Sequence, residues 1–128
     1  MSKLDIRIEP VAQSAPAVLP SPLGFGRYFA ARMFTQHYTA GRGWHDALIG
    51  PYQPLVLEPA AQVFHCGQMI FDGTKAYSRP DGNLNLFRVE KNAERFNRSA
   101  ARLAMPEVDI DEHRRRANPR DGSGACEK

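Results

Sequence analysis

Between Phe64 and Arg95 the sequence turns twice and then enters a helix: FHCGQMIFDGTKAYSRPDGNLNLFRVEKNAER. Asp72-Gly73 and Pro80-Asp81-Gly82 are turn sequences, because glycine tolerates positive φ and proline presets the first corner of a tight turn. Thr74–Ser78 and Leu84–Phe87 flank the second turn and read as the arms of a hairpin. Beyond them Ala93, Phe96, Ala100 and Leu103 make an apolar stripe at helical spacing, and Asn92, Arg95, Ser99 and Arg102 share the adjacent face. The spacing predicts a helix over Glu90–Met105, stopped by Pro106. A hairpin that feeds one long helix confines this part of the chain to an α+β arrangement. It also sets an arginine-bearing helix face beside turn backbone, which suits a pocket wall next to an anion site.

Upstream, Tyr28–Tyr38 alternates with period two and is rich in aromatic residues, so it reads as a strand. Ala40-Gly41-Arg42-Gly43 turns the chain, and Trp44–Tyr52 returns as the second strand of an antiparallel hairpin. Pro51 and Pro54 bracket a corner, after which Leu55-Val56-Leu57 reads as a short apolar strand. Pro59-Ala60-Ala61 suits the first turn of a helix, where proline is tolerated. Val63–Phe71 is too short for its periodicity to decide between helix and buried strand. Pro10, Pro16, Pro20 and Pro22 predict an extended arm over residues 1–22 rather than a packed element. From His113 onward no large aliphatic or aromatic side chain remains, so residues 111–128 are expected to be a disordered basic tail. Residues 23–110 are then the folded part, an α+β domain built as an antiparallel sheet with one long helix.

A chain of 128 residues, 42% hydrophobic, suffices for one domain with a modest core. The net charge of +3 is spread along the chain apart from Arg114-Arg115-Arg116, and it lacks the aromatic-interleaved basic stripe of a nucleic-acid surface. Cys66 and Cys126 form neither a redox pair nor a zinc spacing, and no metal site is expected. Nothing approaches the ~18 apolar residues of a membrane span, and the charged start MSKLDIRIEP is no signal peptide. A cytoplasmic protein with reduced thiols and no membrane partner is expected.

Three longer stretches carry a resemblance: GFGRYF at 24–29, GRGWHDALIGPYQPLVLEPAAQVFHCGQMIFDGTKAY at 41–77, and LFRVEKNAERFNRSAARLAMPE at 86–107. Together they resemble the small N-terminal domain of the branched-chain amino-acid aminotransferases, fold-type IV enzymes that use pyridoxal 5'-phosphate. The resemblance covers about residues 23–110. It implies transfer of an amino group between Val, Leu or Ile and 2-oxoglutarate, and a homodimer in the complete enzyme. It implies that Arg95, in the N-A-x-R-F helix, binds the cofactor phosphate; guanidinium makes bidentate, charge-assisted bonds to phosphate oxygens. Phe25 and Phe71 match positions lining the pocket for the branched side chain. Gly73 matches the glycine of an F-E-G turn, where φ freedom is expected to turn the backbone away from the pocket.

This chain departs from that pattern in several places. Cys66 stands where the family usually has a pocket tyrosine, which enlarges the pocket and removes a hydroxyl. Asp72 replaces the common glutamate, and Val89 stands where proline often opens the helix. No third group supports Cys66 as a nucleophile beside His65. None of Lys3, Lys75, Lys91 and Lys128 sits in the context of the lysine that bonds the cofactor, which the family carries in a larger domain; Lys75 matches a small-domain lysine. The sequence therefore reads as a truncated, inactive front part of such an enzyme, with no catalytic residue of its own. A disrupted reading frame near Glu112 would produce its ending. Rival readings are another fold-type IV activity (D-amino-acid transaminase or aminodeoxychorismate lyase) and a non-enzymatic dimerisation or interaction module.

Overall fold

The computed structural model describes residues 5–11, 21, 24–81 and 83–117, with side chains as far as His113. The chain divides into two compact units, one ending at Leu55 and the other starting at Val56. The expected α+β class holds. Its sheet is not single: each unit carries its own.

The first unit is a three-stranded sheet of β1 (Ile6–Ile8), β2 (Arg32–Thr39) and β3 (Gly43–Pro51), in the order β1-β3-β2. β2 and β3 form the expected antiparallel hairpin, closed by the Arg42 N–H donating to the Thr39 carbonyl at 3.0 Å. Gly41 and Gly43 turn at φ 83° and 78°, a region a β-carbon makes costly. The first strand begins at Arg32 rather than Tyr28. β1 corrects the expectation of an unpacked arm: Ile6, Arg7 and Ile8 pair in parallel with Ala47, Leu48 and Ile49. Glu9 extends the pairing by donating its N–H to the Ile49 carbonyl at 2.9 Å. Flanked on both sides, β3 holds the core of this unit, Ala47 and Ile49. Tyr38 and Trp44 pack edge to face at 5.3 Å near the turn, and Phe29 stacks on Tyr52 at 5.0 Å. Of the arm expected over residues 1–22, residues 1–4, 12–20 and 22 lie outside the described residues.

The second unit holds α1 (Gln62–His65), a hairpin of β4 (Ala76–Ser78) and β5 (Leu84–Leu86), α2 (Val89–Arg102) and α3 (Ile110–Ala117). Leu55-Val56-Leu57 is not a strand, and Val56 is 97% exposed. Val63–Phe71 resolves into the short helix followed by irregular backbone, tied down where Gln68 Nε2 donates to the Leu103 carbonyl at 2.8 Å. That bond satisfies a carbonyl the helix end leaves without a partner.

The buried face of α2 is Val89, Ala93, Asn97 and Ala100, rotated from the expected stripe because Asn97 takes the place given to Phe96. Asn97 Nδ2 donates to the Val108 carbonyl at 2.8 Å, and Asn97 Oδ1 accepts from the Val108 N–H at 2.9 Å. One amide thus satisfies both backbone groups of Val108 in the irregular segment between α2 and α3, which makes a polar residue worth burying. α2 ends at Arg102, ahead of Pro106. Met105 N–H donates to Ala100 O at 2.9 Å and Ala104 N–H to Ala101 O at 3.2 Å, with Ala104 at φ 52°. This is a Schellman end with alanine in the left-handed position glycine usually takes.

α3 corrects the expectation of a tail disordered from residue 111. Asp109 Oδ1 accepts from the Glu112 N–H at 2.8 Å, so Asp109 caps the helix, and Asp111 and Glu112 sit favourably in its first turn. Phe96 of α2 stacks on His113 of α3 at 6.4 Å. Residues 118–128 lie outside the described residues.

Candidate functional site

Asn92 and Arg95, spaced i, i+3, project from one face of α2 toward the turn at Asp72-Gly73. Arg95 donates from Nε to Asp72 Oδ2 at 2.8 Å and from Nη2 to Asp72 Oδ1 at 2.6 Å. Asn92 Nδ2 donates to the Gly73 carbonyl at 2.7 Å and to Asp72 Oδ1 at 3.3 Å. The two partners differ in burial: the Asp72 side chain is 10% exposed and that of Arg95 58%. The Arg95 hydrogen bond holds Asp72 below the usual carboxylate range against the opposing effect of burial, with Asn92 assisting. Asp72 in turn raises Arg95 above its ordinary value, mainly by the same hydrogen bond. Within one helix, Ser99 Oγ donates to the Arg95 carbonyl at 3.2 Å.

The other expected residues are placed less tightly. Phe71, next to Asp72, is 78% exposed. Gly73 is joined to the site by its carbonyl and corrects the expected reason for glycine there: its φ is not positive, and a β-carbon would meet nothing within 4 Å. Cys66 is exposed at the end of α1, its N–H donating to the Gln62 carbonyl at 2.8 Å. Its neighbour His65 donates from Nε2 to the Pro59 carbonyl at 2.8 Å, so the imidazole is engaged elsewhere. Phe25 belongs to the first unit, between Gly24 and Gly26 at φ 71° and 68°, and is 91% exposed. Lys91 bonds both oxygens of Glu94 at 2.6 and 2.8 Å, and Lys75 lies 5.1 Å from the centre of the Tyr77 ring. Lys3 and Lys128 lie outside the described residues.

The partnership of Asp72 and Asn92 with Arg95 was not foreseen from sequence, although both stood in the stretch that carried the reading. The i, i+3 spacing of Asn92 and Arg95 was the available signal. The donor set fits part of a phosphate site: one guanidinium, presented on an exposed helix face and oriented from behind. Among the described residues no cluster of three metal-ligating side chains occurs, and no helix is long and apolar enough to cross a membrane.

A second polar cluster lies on the β2–β3 hairpin. Between Thr35 and His37 the register shifts, with Asp46 at φ 52°, an extra residue on β3. Neighbours on a regular strand point to opposite faces, so this bulge is what lets His45 Nδ1 reach Asp46 Oδ2 at 2.8 Å. His45 Nε2 meets Thr39 Oγ1 at 2.8 Å, and Arg42 Nη2 approaches Asp46 Oδ1 at 3.4 Å. The His45 hydrogen bond, more than the Arg42 charge, lowers the Asp46 carboxyl. Hydroxyl, imidazole and carboxylate stand in series as in nucleophilic sites. Here they bridge the two strands beside their turn, and act as a lock on the hairpin.

No protein-family model matches the chain. Curated proteins do. Branched-chain-amino-acid aminotransferase 2 of Bacillus subtilis is 46% identical over 112 residues, 88% of this chain and 31% of that protein. A probable branched-chain-amino-acid aminotransferase of Streptomyces coelicolor is 50% identical over 102 residues, 80% of this chain and 28% of that protein. One from Staphylococcus aureus strain N315 is 54% identical over 89 residues, 70% of this chain and 25% of that protein. These three relatives are named as aminotransferases. More narrowly, the chain belongs with the branched-chain amino-acid aminotransferases, and it spans about a quarter to a third of the length of these relatives.

Proposed function

We propose that this chain is the cofactor-closing section of a transaminase that moves the amino group between Val, Leu or Ile and 2-oxoglutarate. The observation that carries this is Arg95, an exposed guanidinium held in a fixed plane on α2, within a sequence about half identical to enzymes named for that reaction. Arg95 takes the phosphate of pyridoxal 5'-phosphate, matching a planar fork of donors to phosphate oxygens. When bound, that cofactor supplies the carbonyl chemistry of amino transfer. Phe71, exposed beside Asp72, meets the branched side chain of the substrate and keeps water from it, and Phe25 of the first unit is a substrate residue on the resemblance alone. Burial of each substrate methylene contributes about 0.8 kcal/mol. Cys66 leaves more room in that pocket than the family's tyrosine, and Gly73 keeps the turn beside it free of a side chain.

The amino-acid and 2-oxo-acid substrates, a homodimer in the complete enzyme and a cytoplasmic location belong to the same reading. Lys91 is engaged by Glu94 and Lys75 by Tyr77, so neither is poised to bond the cofactor. By the resemblance, none of Lys3, Lys75, Lys91 and Lys128 matches the lysine that bonds the cofactor, so the 128 residues alone should be inactive. Among rival readings, the names of the relatives favour branched-chain substrates over D-amino acids or aminodeoxychorismate. A non-enzymatic interaction module predicts that Arg95 has no effect on cofactor affinity. The test is titration of pyridoxal 5'-phosphate into this chain and its Arg95→Ala variant, followed by cofactor absorbance. The variant should bind measurably more weakly, and equal affinity would remove Arg95 from the phosphate site.

A further inference from the structure

The guanidinium of Arg95 is gripped along one edge. Asp72 accepts from Nε and Nη2, which leaves Nη1 and the second Nη2 hydrogen without a partner among the described residues. Arginine carries five N–H donors in one plane, so a carboxylate on the Nε–Nη2 side does not exhaust them. The carboxylate is itself held, because Asn92 bonds both Asp72 Oδ1 and the Gly73 carbonyl. Asp72 is also the more buried of the pair, at 10% side-chain exposure against 58%. Pulling Arg95 away would break two charge-assisted hydrogen bonds to a carboxylate that Asn92 holds in place. An incoming anion therefore meets a guanidinium that is easier to share than to detach.

We propose that Asp72 is a positioning residue for the phosphate ligand of Arg95. It fixes the guanidinium plane by the Nε–Nη2 edge and presents the Nη1–Nη2 end to the phosphate. Asn92 supports it by tying the carboxylate to the Gly73 turn. Carboxylate and phosphate then lie on different edges of one cation and are bound together. This rests on Arg95 being the phosphate ligand, and the experiment separates the two claims.

Arginine side-chain NMR signals of this chain are followed while inorganic phosphate, and separately pyridoxal 5'-phosphate, is added. The Arg95 Nε–H signal should keep its position and slow exchange while the Nη signals move. Loss of that protected Nε–H signal on phosphate addition would mean that phosphate displaces Asp72, and would overturn the proposal. Asp72→Ala and Asn92→Ala should each weaken phosphate binding about 3- to 10-fold, the cost of ordering a free arginine on binding. Asp72→Glu should recover part of the loss. Asn92→Ala leaves every charge in place, so its effect reports positioning rather than net charge, and it decides the matter if Asp72→Ala does not fold. Phosphate affinity equal to or tighter than the parent's in both alanine variants would contradict the proposal. If Arg95→Ala also binds phosphate like the parent, the phosphate reading of Arg95 fails. If Arg95→Ala loses binding while the other two keep it, only the positioning role fails.

Discussion

At the scale of single residues, the pair Asp72–Arg95 sets the electrostatics of the second unit. The carboxyl of Asp72 sits below its ordinary range when folded, so the unfolded chain holds its proton more tightly. The resulting stability is complete above about pH 4, the ordinary aspartate value, and is lost as pH falls through the lower folded-state value. The urea midpoint should therefore drop between pH 7 and pH 3. In Asp72→Asn that drop should be smaller, since Asp46 retains its own share; an unchanged drop would remove Asp72 from the linkage. Asn97 acts by a different means, its amide satisfying the N–H and carbonyl of Val108 from a buried position. Asn97→Ala strands both groups and should cost about 1–3 kcal/mol in a denaturant titration. The periodic stripe placed Phe96 on that face, because apolar spacing carries no information about a backbone segment that needs two hydrogen bonds.

Among the elements, the end of α2 is the one whose sequence least suits its geometry. Ala104 occupies a left-handed position at φ 52° within the Schellman bonds of Ala104 and Met105. A β-carbon in that conformation costs roughly 1 kcal/mol, so Ala104→Gly should stabilise the chain by about that amount, read as a higher urea midpoint at unchanged slope. A lower midpoint would mean that the lost helix propensity or packing outweighs the relief. The β2–β3 hairpin, the β4–β5 hairpin and α2 were legible because period and turn chemistry agree in each. β1 was hidden by the prolines around it, although Ile6-Arg7-Ile8 alternates between Asp5 and Glu9. α3 was hidden by its lack of large apolar residues after Ile110, and only Asp109 with Glu112 three places on announced its cap. Leu55-Val56-Leu57 misled in the opposite direction, since apolar residues without a partner strand do not make a sheet.

For the molecule as a whole, similarity reached further than composition could. Arg95, Phe25, Phe71, Cys66 and Gly73 were chosen by resemblance, and only the i, i+3 spacing of Asn92 and Arg95 hinted at the cluster in which Asp72 grips Arg95. Phe25, Val56, Phe71 and Phe87 are each more than 70% exposed, apolar surface that favours self-association. The purified chain should therefore elute from a sizing column ahead of its 14.3 kDa mass and show no leucine transamination. Turnover by the chain alone would contradict the reading of its active site as incomplete. The most direct measurement places this chain's matched residues into the Staphylococcus aureus relative, in exchange for that protein's own segment, and assays amino transfer from leucine to 2-oxoglutarate. Turnover that is lost with Arg95→Ala and regained in part with excess pyridoxal 5'-phosphate is the predicted result. A folded chimera that never turns over, or one indifferent to Arg95→Ala, would contradict it.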